Sequence, residues 1–247
     1  MADRPALAPE YNYYQRILAR DQNEAADLVE GYIKHNPAPS VYDALLLPAL
    51  NSAYRDRLEG RLSAAEESTV SEATRELIND AGEWIRELAP ESVDRSEEPE
   101  LPEPRQPLRV IGYAANGIGD ELALGMLAHL VEDLPIRLDI QRERLAAKEL
   151  VSLLRNQKIS IICIADLPPS PPSKTRYVVR RLRGALPGLR IAVGRWAPEA
   201  LADESADGLL QGGATVVSTT LLETRDYLAS LLERPRVAVP DTGVPAA

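Results

Sequence analysis

Arg109-Val-Ile-Gly-Tyr113 leads into Ala114-Ala-Asn-Gly-Ile-Gly-Asp120 and then into the apolar-periodic segment Glu121 to Glu132. A short β-branched run, a glycine-containing turn and a 3.6-residue period in succession predict strand, tight loop and helix. The same unit recurs downstream. Ile136 to Ile140 precedes a helix near 143–156, and Ile159 to Ile164 precedes one near 174–186; Arg190 to Val193 and then Thr215 to Ser218 follow, with a last helix over 220–233. Strands that are apolar throughout and alternate with helices imply a parallel sheet covered on both faces. Five strands joined by right-handed crossovers predict a flavodoxin-like, doubly wound, Rossmann-like α/β domain over 108–236. Ligands of such sheets bind beyond the carboxyl ends of the strands, which places attention on the loops after Tyr113, Ile164, Gly194 and Ser218.

Working outward, residues 89–107 read APESVDRSEEPELPEPRQP, five prolines among carboxylates with almost no apolar side chains. A segment of that composition buries too little surface to offset its ordering entropy, so it reads as an interdomain linker. Before it, Ile17, Leu18, Ala25, Leu28, Val29 and Ile33 fall at helical spacing. Four helices are expected in residues 1–88, over about 10–19, 22–35, 40–59 and 64–88, forming a four-helix bundle. Asp21 and Ser40 are candidate N-caps, Ser63-Ala-Ala-Glu66 fits a capping box, and Gly60 ends the third helix. Pro48 is expected to kink or break that helix. Leu45, Leu46, Leu50, Leu58, Leu62, Val70, Leu77 and Trp84 are the core candidates. Residues 237–247 read as a flexible tail.

Composition narrows the function. The 247 residues are 45% hydrophobic and 27% charged, ordinary for a globular protein, but Phe is absent and aromatics are only 4%, so no stacking platform for bases is evident. The net charge of −10 argues against nucleic acid or an anionic membrane surface as the main partner. That charge is uneven: residues 1–107 hold 22 acidic and 11 basic side chains, residues 108–247 hold 16 and 17. No apolar run approaches the roughly 20 residues of a membrane-spanning helix, and no signal pattern is seen, so a cytoplasmic location without membrane insertion is expected. The single Cys163, within an apolar run, excludes internal disulfides and multi-cysteine metal sites. There is no G-x-S-x-G, P-loop or H-E-x-x-H pattern, and two histidines are too few for most acid–base schemes, so a non-enzymatic role is expected.

Gly117-Ile118-Gly119, with Asp139 about 20 residues on, has the outline of a dinucleotide fingerprint. Leu122 stands at the third glycine position, and Asp120 and Glu121 open the helix with charges that repel a pyrophosphate. The other reading is that the glycines only shape a turn. Arg176, Arg180 and Arg183 share one face of a predicted helix, either a solvated face pairing with acidic residues of the bundle or linker, or a site for an acidic partner or ligand. The proline-rich loop Asp166 to Ser173 reads as the cap before that helix, as a lid or as a peptide-binding edge. Trp196 either covers a flat ligand or packs in the core.

A helical bundle, a linker and a flavodoxin-like domain together resemble the cobalamin-binding module of methyltransferases and light-sensing regulators, in which the ligand lies between the two parts. The likeness rests on Leu47-Pro-Ala-Leu50, Gly60-Arg-Leu62 and Ala65-Glu-Glu67 in the bundle and on Arg109 to Leu127 in the second domain. The family's Asp-x-His-x-x-Gly motif falls on Asp120 to Gly125 with Leu122 at the cobalt-ligating position. His35 and His129 lie on predicted helices and do not replace it. Ser68 takes the place of a bundle histidine, Ala165-Asp166 stands where the family often has serine, and Gly194 is alone where a glycine pair is usual.

Tyr13 to Asp21 and Tyr177 to Trp196 look like cytosolic extensions of autoinducer-2-exporter-like permeases, which are similar to the cobalamin module but usually lack its histidine. The resemblance implies a crevice formed by Tyr54, Leu58, Tyr113, Asn116, Gly117, Ile118, Gly119, Asp120, Leu122, Ala165, Asp166, Gly194 and Trp196. Two functions are compatible with it. One is a sensor for cobalamin bound without histidine, or for a related tetrapyrrole. The other is a ligand-free interaction domain that regulates a permease or self-associates.

Overall fold

The computed structural model describes residues 8–88, 107–197 and 205–232. The linker prolines before Pro107 and the tail at 237–247 lie outside the described residues.

The N-terminal part is helical as its periodicity requires: α1 Pro9–Leu18, α2 Gln22–His35, α3 Leu47–Leu58 and α4 Ala64–Leu88. The Asp21 carboxylate accepts the Glu24 amide, and Ser63 and Glu66 exchange both bonds of a capping box. Gly60 takes φ +73°, the left-handed conformation that closes a helix with no Cβ penalty. The third segment departs from expectation. Ser40 is not an N-cap; it sits in a 3₁₀ turn, Ala38–Ser40, and its hydroxyl donates to the Pro37 carbonyl. Between it and α3 the chain widens into a π-helical turn, Tyr42–Leu46, with the Leu47 amide bonded to the Tyr42 carbonyl. Pro48, which has no N–H and crowds the carbonyl four residues back, is accommodated by that wider turn instead of a sharp break. Leu58, expected in the core, is 58% exposed because it lies in the last turn of α3 and faces solvent. Trp84 is only partly buried, against the core's edge.

The C-terminal part is a five-stranded, fully parallel sheet of order β2-β1-β3-β4-β5, comprising β1 Leu108–Ala114, β2 Ile136–Gln141, β3 Ile161–Ala165, β4 Arg190–Gly194 and β5 Val216–Ser218. The helices are α5 Ile118–Leu130, α6 Ala147–Asn156, α7 Ser173–Ala185, α8 Ser205–Gln211 and α9 Leu221–Ser230. The short α8 is absent from the sequence reading. Strand alternation sends Val110, Ile161, Cys163 and Ala165 to one face and Ile111, Tyr113, Ile162, Ile164, Ile191 and Val193 to the other. Gly112 lets Leu124 of α5 approach the sheet closely, since a Cβ there would lie 3.2 Å from its Cδ2. Burial pushes the Cys163 thiol up to about 12, so it is an inert packing group.

The two parts are one packed body. The bundle's core is continuous with the face of the sheet that carries α5 and α9. Three polar clips span the junction: the Tyr42 hydroxyl and His129 Nδ1 at 2.9 Å, Asn51 Nδ2 donating to the Trp196 carbonyl at 3.0 Å, and the Asp43 carboxylate accepting the Leu221 and Leu222 amides at 2.7 and 3.2 Å. The last of these places a bundle carboxylate at the start of α9, where free amides and the helix dipole favour negative charge. Asp43→Ala is expected to lower the unfolding free energy by about 1–2 kcal/mol, read from urea denaturation, and to loosen α9 in hydrogen exchange.

Candidate ligand seam at the sheet rim

The β1–α5 loop carries the most ordered polar structure at the carboxyl rim. Asp120 turns back from the first turn of α5, and its two oxygens accept the Asn116 amide at 2.8 Å and the Leu167 amide at 2.9 Å, tying this loop to the one after β3. Burial, opposed by those two bonds, raises its carboxyl to about 7. Asn116 in turn donates to Asp166 at 2.7 Å, and the Ser170 hydroxyl donates to the same carboxylate oxygen. Arg195 closes the network: its Nη1 lies 3.2 Å from Asp166 Oδ2 and donates to the Ser170 carbonyl at 2.9 Å, with the two side chains 2% and 0% exposed. Lys174 and Arg144 donate to the carbonyls of Ala115 and Asn116, placing two cations behind the loop.

Trp196 lies beside this network and is fully buried. Its indole lies against Gly194, where any Cβ would overlap the ring, and its Nε1 donates to Thr224 Oγ1 at 2.8 Å. The end of β4 is therefore filled by the protein's own aromatic side chain. At the rim a cavity of about 110 Å³ lies between α3, α4 and the β1–α5 loop, lined among others by Tyr54, Glu67, Ser71, Asn116, Ile118 and Asp120, and it shares Glu67, Ser71 and Ile118 with a more open groove of about 410 Å³ along α4. Burial first, then the nearby Asp120 and Glu67, raises the Tyr54 hydroxyl.

Of the residues expected to form the crevice, Tyr54, Asn116, Gly117, Ile118, Gly119 and Asp120 come together around this cavity. The others do not. Leu58 faces solvent, and Tyr113 is buried on the opposite face of the sheet with its hydroxyl donating to the Leu145 carbonyl. Leu122, which the resemblance aligns with a cobalt-ligating histidine, is part of the hydrophobic core because the Asp120 to Leu122 segment is already helical. Ala165 is buried in the sheet with its carbonyl taken by the Ala115 amide, Asp166 is held by Arg195, and Gly194 and Trp196 occupy each other's space. Leu50, Ala53, Glu67, Ser71 and Leu167 also line the cavity and are not among the expected crevice residues, although Leu50 and Glu67 belong to the bundle stretches that carry the resemblance.

The remaining candidates resolve individually. Asp139 pairs with Arg109 and Arg137 at the surface, so it serves no ribose. Arg183 bonds the carbonyls of Gly213, Pro187 and Leu189 and acts as a structural clip; among the described residues none of Arg176, Arg180 and Arg183 pairs with a bundle carboxylate. The proline-rich loop is pinned through Ser170, whose hydroxyl donates to Asp166 and whose carbonyl accepts from Arg195, and it leads into α7 at Pro172, which makes no side-chain capping bond. His35 bonds its own helix at the Gly31 carbonyl. Among the described residues no cluster of three or more potential ligands is placed to hold a metal ion, and no helix is long and apolar enough to cross a membrane.

No known protein-family model matches the sequence, and comparison with curated proteins finds no match. Solved structures do match. The chain superposes on the monomethylamine corrinoid protein of Methanosarcina barkeri with a TM-score of 0.56 at 10% identity, over 89% of this chain and 96% of that one. A cobalamin-binding protein from Desulfitobacterium hafniense DCB-2 aligns over 89% and 97% at 13% identity with a TM-score of 0.40. The methanol:cobalamin methyltransferase complex MtaBC of M. barkeri aligns over 90% and 85% at 15% identity, with a TM-score of 0.37. The chain has a cobalamin-binding-like fold, a helical bundle followed by a Rossmann-like domain.

Arg195→Met leaves Asp166 buried without its cation and is expected to cost roughly 3–5 kcal/mol in denaturant unfolding, while the double replacement Asp166→Leu/Arg195→Met recovers much of it. Because the folded Asp120 carboxyl lies above its unfolded value, the folded state holds the extra proton between about pH 4 and 7. Stability from this group is thus greatest at the acid end and falls as pH rises through about 7. Unfolding curves should decline more steeply over that window for the wild type than for Asp120→Asn.

Proposed function

We propose that this chain is a non-enzymatic regulatory module on the cobalamin-binding-like fold, that its tetrapyrrole slot is closed by its own side chains, and that it acts through protein contacts, either self-association or docking to a membrane permease. One observation carries the reading: the indole of Trp196 occupies the end of β4 over Gly194, beside the buried Arg195–Asp166 pair, where the sequence resemblance places the ligand. The cavity of about 110 Å³ beside Asp120 is well below the roughly 300–1,000 Å³ of sites for drug-sized molecules, and the groove of about 410 Å³ next to it along α4 is open to solvent and does not reach the end of β4. The residues present therefore do not fit that group.

The sensor reading draws on the fold likeness. It requires Trp196 to leave its packing, on the order of 3–5 kcal/mol, and the Arg195–Asp166 pair to separate, roughly as much again. Together these costs approach the roughly 8 kcal/mol of a micromolar complex, and no histidine supplies a cobalt bond in return. Function follows the site rather than the fold, and the site favours the closed reading.

The test is colour. Purified protein incubated with hydroxocobalamin, and separately with a linear tetrapyrrole, should elute from gel filtration without visible absorbance. A stoichiometric coloured complex overturns the reading. Sedimentation across a concentration series reports whether self-association is the contact in use.

A further inference from the structure

Helix α7 reads SKTRYVVRRLRGA, five cations and no carboxylate. Three of the five are used within the fold: Lys174 and Arg183 donate to backbone carbonyls, and the guanidinium of Arg176 lies against Gly208. Arg180 and Arg181 remain, both exposed, and with Lys148 of α6 they line a groove of about 420 Å³ between the two helices. Among the described residues no carboxylate lies within ion-pair distance of any of these three. Glu149, the acid of α6, is turned to the Ala146 amide. Ala147, Val151 and Gly184 supply the apolar lining. Glycine weakens a helix relative to alanine, and a Cβ at Gly184 would meet nothing within 4 Å, so packing inside this chain does not account for the residue. An apolar floor under a cationic rim fits the acidic edge of another helix.

This chain carries such an edge. Along α4, Glu72, Glu76, Asp80, Glu83 and Glu87 are all exposed, and at 3.6 residues per turn they fall within about 80° of arc, one continuous stripe. Glu72 accepts the Ser68 hydroxyl and Glu76 accepts Gln22, but among the described residues no cation pairs with any of the five. Of the two arginines on the flank of the stripe, Arg86 is drawn to Glu132 and Arg75 lies toward Ile118. Stripe and groove cannot meet within one molecule. The buried side of α4 belongs to the core on the α5 and α9 face of the sheet, whereas α6 and α7 bury Leu150, Leu154, Val179 and Leu182 on the other face. Opposite charges on opposite sides of the sheet complement each other only between copies.

We infer that this chain self-associates head to tail, the carboxylate stripe of α4 in one copy lying in the groove between α6 and α7 of the next. The inference rests on the reading that the module acts through protein contacts, and it gives self-association its two surfaces. Because the surfaces differ, every added copy leaves one of each free, and the contact propagates instead of stopping at a dimer. Attraction between exposed charges is weak and screened, so the association depends on salt and concentration.

Sedimentation velocity of the full chain over a series reaching about 1 mM tests it. At about 0.1 M salt the mean size is expected to rise steadily with concentration. At about 1 M, where the screening length falls from about 10 to about 3 Å, association should weaken about tenfold or more. Arg180→Ala/Arg181→Ala strips the groove of charge, and Glu76→Gln/Asp80→Asn/Glu83→Gln strips the stripe; each variant alone should stay monomeric where the wild type associates. Mixed in equal amounts, they retain one intact stripe and one intact groove and should form a one-to-one pair that grows no further. Gly184→Leu fills the groove with the charges untouched and should also abolish association; if it melts early in circular dichroism, the charge variants carry the comparison. The inference is overturned if the chain is monomeric throughout, if association is unchanged at high salt, if the variants associate as the wild type does, or if their mixture stays monomeric. Association unmoved by the variants defeats these surfaces and leaves self-association standing, whereas a monomer defeats self-association and leaves the closed slot to be judged by colour.

Discussion

An arginine buried to 2% exposure beside a carboxylate at 0% is the interaction on which the functional end of this molecule turns. A lone charge in that interior would be prohibitive, and the pair is sustained only because Asp166 also receives Asn116 and Ser170 while Arg195 also reaches the Ser170 carbonyl. Those extra bonds draw the loops after β1, β3 and β4 into one network. With the loops held together, Trp196, the residue after Arg195, is directed into the end of the sheet and fills it.

The bundle completes this closure. Asn51 holds the Trp196 carbonyl, Asp43 caps α9, and Tyr42 meets His129, so the helical part is clamped to the sheet at three separated points in addition to the shared apolar core. Moving the bundle aside means breaking these bonds as well as exposing core. The polar rim and the clamp therefore reinforce each other.

Much of the architecture was legible because it depends on local chemistry. β-branched runs marked all five strands, the Ser63–Glu66 box and Gly60 marked helix ends, and Pro48 marked the irregular third helix. The short α8 was not legible, since seven residues with Gly208 inside carry too little periodicity. The site was half legible. Asn116 to Asp120 could be named because a strand-to-helix loop at the sheet rim is a known position for ligands, and Tyr54 because the bundle had to face that rim. Leu58 was misplaced by one turn of helix. Leu122 was counted as crevice although its helix had already begun. Arg195 was passed over as a charged residue beyond a strand end, because nothing near it in sequence announces Asp166, 29 positions away.

By itself the sequence determined the periodicities, hence the elements, their order and the parallel sheet. These follow from which residues are apolar and how they are spaced, information that acts over a few positions. Only the tertiary structure decided whether the rim is open. That depended on where Trp196 points and on which partner neutralises Arg195. Each is a contact between residues far apart in the chain, settled by volume and charge compensation in a packed interior.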